Sequence, residues 1–587
     1  MQYTDRQAQA IASSHPKILV IAGAGTGKTR VLTERIARLL DERVPPERIL
    51  AVTFTRKAAS EMADRLEKTV GPIGRRVEMR TMHSWAARLC RAYADTSIVR
   101  RSPQFTIWDG RDREDVVRGA ARDVGIHTWG NAKIARLLQD ERVAETYEDR
   151  KRSANALDYD DLEGLALRLI TEHEPASREW TQRYRHVLVD EYQDTNLAQV
   201  TIFNGLTPPN FFVVGDPRQS IYRFRGAEVQ TILDCAADND YEVIQLTTNF
   251  RSRPHIVRFA NGAVNGPWEP MEASRPAPSP VPSGRETYPG ETAVVVRHWE
   301  DEPMRVAQAI ADAVESGRFA YGHVAVLARR WSEVSAVVRE LGALGVPAVN
   351  CGPKEDPWES AEGRAVARAA LLAANPYDDE IAALLANWGS EGDDRFDDLR
   401  RQRILAVSNR WSLARSLASA STAWAGLAVE WLTEDQSAGW YAEAVADSLG
   451  VWDRLQTQGL TSRISALRYC IEEARQYTPD GFRDWWTDRS VTERVQGPEE
   501  ADSVQCMTIH ASKGLEFPAV AFVGARDGAF PSYRDDDDDA EALRLFYVAS
   551  TRAEDLLLVS SPQTYRRAWE RFDRDAAPSP FTQRCQS

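Results

Sequence analysis

Long apolar runs are missing from this 587-residue chain. No stretch approaches the roughly 18 consecutive apolar residues that a membrane span needs, so no membrane association is expected. The amino terminus, MQYTDRQAQA, has neither a basic run nor an apolar signal core, and the chain is expected to stay in the compartment where it is made. Cysteine is scarce. Cys90, Cys235, Cys351, Cys470, Cys506 and Cys585 form no C-x-x-C pair and have no zinc-ligand spacing, which argues against a zinc module or a disulfide framework. Scattered, reduced core thiols in a cytoplasmic protein are the expectation. A basic surplus is absent too: 73 Lys and Arg against 87 Asp and Glu leave a net charge of −14. That is the wrong sign for a protein that coats nucleic acid, so any nucleic-acid track would need its positive potential confined to one channel.

What is present is an ordinary folded composition, 43% hydrophobic and 27% charged, in a chain too long for one core. Short apolar runs recur at Ile18 to Ile21, Ile49 to Thr53, Val187 to Val189, Phe211 to Val214 and Val243 to Leu246. More follow at Ala293 to Val296, Val324 to Leu327, Val520 to Val523 and Leu556 to Val559. Helical patterns follow many of them, which predicts α/β architecture with buried parallel strands. Two long segments, about Arg100 to Ser153 and Pro357 to Val495, break this rhythm and read as helical insertions. Nine of the seventeen tryptophans fall in the second, among them Trp424, Trp431, Trp440, Trp485 and Trp486. At helical spacing they are expected to be core, with a partner or DNA surface as the other reading. Pro267 to Pro289 reads as an exposed loop, and the acidic run Asp535 to Asp539 as a solvated one.

The string KILVIAGAGTGKTR places a strand before AGAGTGKT and a helical pattern after it, the context that a phosphate-binding loop requires. Ala22, Gly23, Ala24, Gly25, Thr26 and Gly27 would wrap backbone N–H groups around phosphate oxygens at a helix's positive end. Lys28 would reach the β- and γ-phosphates, and Thr29 would hold Mg²⁺. Ala22 stands where such loops commonly have their first glycine, and its small side chain still permits the turn. In VLVDEYQDT, Asp190 and Glu191 end an apolar run, where α/β proteins bind ligands. Asp190 suits a Mg²⁺ shell, and Glu191 suits activation of water as a general base.

Further along, VVGDPRQSIYRFRGA offers Gln219 as a γ-phosphate sensor. It also offers Tyr222, Phe224 and Arg225 as an aromatic–basic cluster of the kind that grips single-stranded bases. Together with QLTTNFRS, MTIHASKGLEF and YVASTRA, this string closely resembles the UvrD/Rep/PcrA-like superfamily 1 helicases, with matched motifs in order from Thr4 to Phe581.

The resemblance implies two RecA-like P-loop NTPase cores, each interrupted by a mostly helical insertion. The expected partition is 1–104 with 154–250 for the first core, 105–153 for its insertion, 251–355 with 496–587 for the second core, and 356–495 for its insertion. It implies that Gln7 reads adenine, Phe250 stacks on the base, Glu516 lies near the ribose, and Arg251 and Arg552 reach the γ-phosphate from the second core. Phe54, Arg56, Thr81, His83, His510 and Phe581 match DNA-contacting positions, with Arg56 replacing the family's usual Asn. The acids of NALDYDDL are expected to orient structure. The cofactors implied are ATP and Mg²⁺, and the partners single-stranded and tailed duplex DNA.

The stretch VNCGPKEDPWES departs from the family pattern, and both insertions look short. The resemblance implies a DNA-dependent ATPase and helicase, and it alone implies the 3′-to-5′ polarity. The alternative is an ATP-gated remodelling factor that strips proteins from DNA or loads a partner without processive unwinding. A small-molecule kinase would have no use for the two arginines and the aromatic strings together. The 35 residues after Arg552 are expected to be too few for an appended nuclease domain.

Overall fold

Short Val- and Ile-rich runs can bury both faces only as inner strands of a parallel sheet covered by helices. In a computed structural model they do so twice. It describes residues 3–126, 134–206, 208–223, 227–263, 268–275, 294–351, 357–375, 378, 436–448, 451–458, 460–490, 502–531, 539–565 and 574–586.

The first sheet contains β1 (Lys17–Ala22), β2 (Ile49–Thr53) and β3 (Glu78–Thr81). A short parallel pair, β4 (Thr106–Trp108) and β5 (Ala156–Asp158), stands apart from it. The sheet is completed by β6 (His186–Val189), β7 (Asn210–Gly215) and β8 (Glu242–Leu246), in the all-parallel order β3-β2-β6-β7-β1-β8. Leu19 on β1, between β7 and the edge strand β8, pairs with Val213 on one side and Val243 on the other. Each fully buried aliphatic chain in such a layer contributes about 1.5–3 kcal/mol relative to exposure.

Two short strands, β9 (Thr248–Asn249) and β10 (Glu272–Ala273), pair with each other at the junction of the two halves. The second sheet comprises β11 (Val294–Trp299), β12 (Val324–Ala328), β13 (Ala348–Asn350), β14 (Val504–Thr508), β15 (Phe517–Phe522) and β16 (Ala553–Pro562). It is likewise all parallel, in the order β11-β16-β15-β12-β14-β13. The expected α/β class is met. The edge strands β3 and β13, and β14 beside β13, went unread because their residues are more polar or their runs shorter than those of the inner strands.

The segment read as wholly helical from Arg100 contains β4, which a purely helical pattern does not foresee. Its helices, Gly110–Asp123, Ile134–Leu137 and Glu141–Ser153, follow that strand. In the second insertion the described helices are Ala361–Ala374, Ala438–Ser448, Val451–Thr457, Thr461–Ala474 and Pro479–Ser490. Although they are separated in sequence, the two insertions share one hydrophobic core. Trp108, Val116, Val117 and Tyr147 from the first pack with Trp358, Leu372, Tyr441, Phe482 and Trp486 from the second.

Buried charge joins them as well. The Arg364 guanidinium is 2.7 Å from Asp109 Oδ1 and 2.8 Å from Asp112 Oδ1. Asn375 Nδ2 donates to the carbonyls of Ala154 and Asn155, each at 3.0 Å. Trp485 and Trp486 are buried and Trp440 is half-buried, so the first two fit the core expectation. Trp424 and Trp431 lie outside the described residues, as do most of Pro267 to Pro289 and all of the acidic run but Asp539.

Candidate active site

The carboxyl ends of β1, β6 and β7 are adjacent, and each delivers one strand-to-loop turn to the same edge. The turn after β1 is the phosphate loop, closed by a helix that begins at Lys28. It is tightly held. Thr26 Oγ1 donates to the Gly23 carbonyl at 2.8 Å, and Gln7 Nε2 donates to the Thr26 carbonyl at 3.0 Å. Gln7 Oε1 accepts from Thr4 N, and the Thr4 hydroxyl accepts from Gln7 N, which makes a capping box. The side chain expected to read adenine therefore braces the loop here.

The turn after β6 carries Asp190 and Glu191. Glu191 adopts a left-handed backbone, φ 51° and ψ 42°, a strained conformation for a residue with a side chain. It aims the carboxylate at Lys28, whose Nζ lies 3.8 Å away. Burial works against its charge, but Lys28 and then Lys513 hold its pKa down at about 2. Its neighbour Asp190 is pushed up to about 7 by burial and by the Glu191 charge. Two adjacent carboxyls are thus driven apart, one firmly ionised and one short of positive charge. Thr29 stands next to Lys28 in the first turn of its helix.

The segment just after β8, at the junction of the two halves, closes over the loop. Asn249 Nδ2 donates to the Ala24 carbonyl at 2.7 Å, and Phe250 N donates to the Gly25 carbonyl at 2.9 Å. Gly25 has φ +69°, and a Cβ there would meet the Arg251 Cβ at 2.6 Å. Only glycine admits both the turn and the approach. Arg251 is bound to Glu516 at 2.6 Å, so these two expected nucleotide contacts meet each other.

Arg552 is fully buried and donates to the neutral oxygens of Val548, Leu515 and Thr551, and at 3.5 Å to Gln219 Oε1. Burial, and then the Arg251 charge, lower its pKa to about 9. A buried guanidinium met by neutral acceptors is a cation prepared for an arriving anion.

Of the expected DNA contacts, Phe54 and Tyr222 lie together, stacked with centroids 5.0 Å apart and planes 18° from parallel. His510 is 6.5 Å from the Tyr222 ring, and Lys513 Nζ lies 4.7 Å over it. The others are placed differently. Arg56 lies 5.3 Å over the Trp485 ring and donates to the Trp485 carbonyl at 3.3 Å. Thr81 is buried as the cap of helix Met82–Ala92. Burial lowers the His83 pKa, and its ring is 3.1 Å from Glu163. Phe581 packs edge-on against Phe546, with centroids 6.0 Å apart. Phe224 and Arg225 lie outside the described residues.

Some groups at this edge were not singled out in the sequence. Lys513 forms an ion pair with Asp194 and donates to the Gln219 carbonyl at 2.8 Å, tying the second half to the turns after β6 and β7. Asn249 sits inside QLTTNFRS and Lys513 inside MTIHASKGLEF. Both strings were in view, but partners more than two hundred positions away were not. In the segment NALDYDDL, Asp158 and Asp161 form a capping box, a structural use of the kind expected.

Two family models match the chain: the UvrD/REP helicase N-terminal domain over residues 3–136 and 132–240, and the UvrD-like helicase C-terminal domain over 456–564. The chain is 30% identical to the ATP-dependent DNA helicase PcrA of Staphylococcus epidermidis, across 95% of this chain and 83% of that protein. It is 30% identical to the ATP-dependent DNA helicase UvrD1 of Mycobacterium tuberculosis, across 94% and 81%. It is 29% identical to PcrA of Staphylococcus aureus, across 94% and 82%.

Proposed function

Since the chain belongs to the UvrD/REP helicase family and is an ATP-dependent DNA helicase, we propose that it moves 3′ to 5′ along single-stranded DNA, using ATP hydrolysed between its two sheets, and opens duplexes bearing a 3′ tail. The observation that carries hydrolysis between the halves is the approach of Arg251 and Arg552 to the turns after β1 and β7; the direction of movement rests on the family resemblance. Arg251 abuts Gly25, and Arg552 faces Gln219.

In this reading Lys28 and the amides of the loop bind the β- and γ-phosphates. Thr29 and Asp190 would hold Mg²⁺, and Asp190, buried beside Glu191, is a carboxyl that a divalent cation would satisfy. The ion supplies charge neutralisation across the phosphate oxygens. Glu191, kept ionised by Lys28, takes the proton of the attacking water. Arg251 and Arg552 neutralise the charge that spreads over the γ-phosphoryl oxygens, a contribution worth roughly 10³–10⁵ in rate. Arg251 must exchange Glu516 for phosphate to do so, which makes the Glu516 pair a holding position. Phe250 is the candidate for stacking on the base.

Phe54, Tyr222, His510 and Lys513 form a strip of rings and positive charge suited to a single strand, in which a base takes over one ring's stacking partner. Lys513 touches both this strip and Asp194 beside the catalytic turn, which supports coupling of the strand to hydrolysis.

Strand separation on fluorescent duplexes with a 3′ tail or a 5′ tail tests the polarity. Opening is expected with the 3′ tail, and opening with the 5′ tail alone contradicts it. Displacement of a bound protein from single strands, with no strand separation at any enzyme excess, favours the remodelling role instead.

A further inference from the structure

Helix Asp539–Ser550, which leads into Arg552, carries a buried phenol that none of the roles above employs. Tyr547 has no solvent exposure. Its hydroxyl is 3.3 Å from Asp216 Oδ2 and 3.5 Å from the backbone nitrogen of Ala24 in the phosphate loop. A backbone N–H can only donate, and an ionised carboxylate can only accept. Of the two acceptors in reach, Asp216 Oδ2 and the weaker Met271 Sδ at 3.6 Å, the carboxylate takes the single phenolic proton, and the phenolic oxygen accepts from Ala24.

Asp216, itself buried at the end of β7, is saturated by other donors. Its Oδ2 also accepts from Gln219 Nε2 at 2.8 Å, and its Oδ1 accepts from Arg218 Nε at 2.8 Å. The Arg218 guanidinium lies 5.5 Å over the Tyr547 ring. With its Nε2 committed to Asp216, the Gln219 amide has one orientation left, and its Oε1 faces Arg552. The circuit is thus closed: phosphate loop, Tyr547, Asp216, Gln219, Arg552, and back along the chain to Tyr547. Half of it belongs to each side of the cleft.

We propose that Tyr547 is a positioning residue of the ATPase: through Asp216 it fixes which way Gln219 points, and through Ala24 it makes that orientation conditional on the two halves being closed. The assignment rests on the reading of the cleft as the ATP site. When the halves part, Tyr547 leaves with Arg552, Asp216 loses a donor, and Gln219 is held from one side only. A polar network with every member satisfied is rigid, and one with a member removed is not. Reading closure through Gln219 ties hydrolysis to a state that only the closed cleft supplies.

The test uses the full chain and steady-state ATPase, with and without saturating single-stranded DNA, on the wild type, Tyr547→Phe, Asp216→Asn and the double variant. Tyr547→Phe keeps the ring under Arg218 and removes only the hydroxyl. The DNA-stimulated kcat is expected to fall on the order of tenfold or more, the scale of losing a hydrogen bond to a charged group. KM for ATP should stay within about twofold, because the phosphate loop still forms. Asp216→Asn should show the same split, and the double variant should be no slower than the slower single one, since both act through one circuit.

A wild-type kcat in Tyr547→Phe, a change in KM alone, a lowered melting temperature with kcat intact, or losses that multiply in the double variant would each overturn the assignment. If Tyr547→Phe does not fold, Asp216→Asn decides alone by the same kcat and KM criteria. A wild-type ATPase indifferent to DNA defeats the reading of the cleft itself. A stimulated wild type with an equally stimulated Tyr547→Phe defeats only the role of Tyr547.

Discussion

Glu302 shows how a single carboxyl in the second half reports on burial. It is almost wholly enclosed, and its Oε1 accepts from Gly524 N at 2.9 Å and from the Ser560 hydroxyl at 2.6 Å. Burial raises its pKa to about 7 despite those two donors. The folded chain therefore binds a proton between roughly pH 4.5 and 7 that the unfolded chain releases. The stabilisation is fully present below the unfolded value and is lost as pH rises through 7. Glu302→Gln keeps an oxygen acceptor and removes the titration. Its stability relative to the wild type should improve as pH rises from 5 to 8, by up to about 3 kcal/mol for a shift of this size. Urea melts at pH 5, 6, 7 and 8 check this, and parallel pH profiles for the two proteins would contradict it. The same physics acts on Arg552 with the opposite sign, since burial makes its charge costly until an anion arrives.

Helices that are distant in sequence depend on such charges for their seating. Helix Ala361–Ala374 is joined to helix Gly110–Asp123 through Arg364, which bridges Asp109 and Asp112, and through Arg368, 3.0 Å from Asp112. The Arg364 guanidinium also lies 5.7 Å over the Trp486 ring. Arg364→Ala would leave the buried Asp109 without its cation and Asp112 with Arg368 alone, a loss of about 3–5 kcal/mol. The urea midpoint read by tryptophan fluorescence should fall accordingly, and an unchanged midpoint would contradict the shared core.

This junction was not legible in the sequence, where the insertions read as separate helical bodies, because the charges that join them lie about 250 positions apart. The phosphate loop and the acidic turn were legible because consecutive residues on one strand-to-loop turn carry their chemistry. The same contrast explains the scattered DNA contacts. Phe54 and Tyr222 stack on each other although they lie far apart in sequence. Arg56 is taken by Trp485 and His83 by Glu163, partners that no local pattern announces.

Across the whole molecule, the two sheets meet at one cleft, and the contacts across it are specific. Lys513 holds Asp194, Arg251 abuts Gly25 of the phosphate loop, and Arg552 faces Gln219. In the proposed cycle, closure of the halves would assemble the catalytic constellation and opening would dismantle it. The most direct measurement is steady-state ATPase of the wild type and Arg552→Ala, each with and without single-stranded DNA. The wild type should be strongly stimulated by DNA, and Arg552→Ala should lose roughly 10³-fold or more of the stimulated rate while still binding ATP. Wild-type turnover in Arg552→Ala would contradict a site completed from both halves.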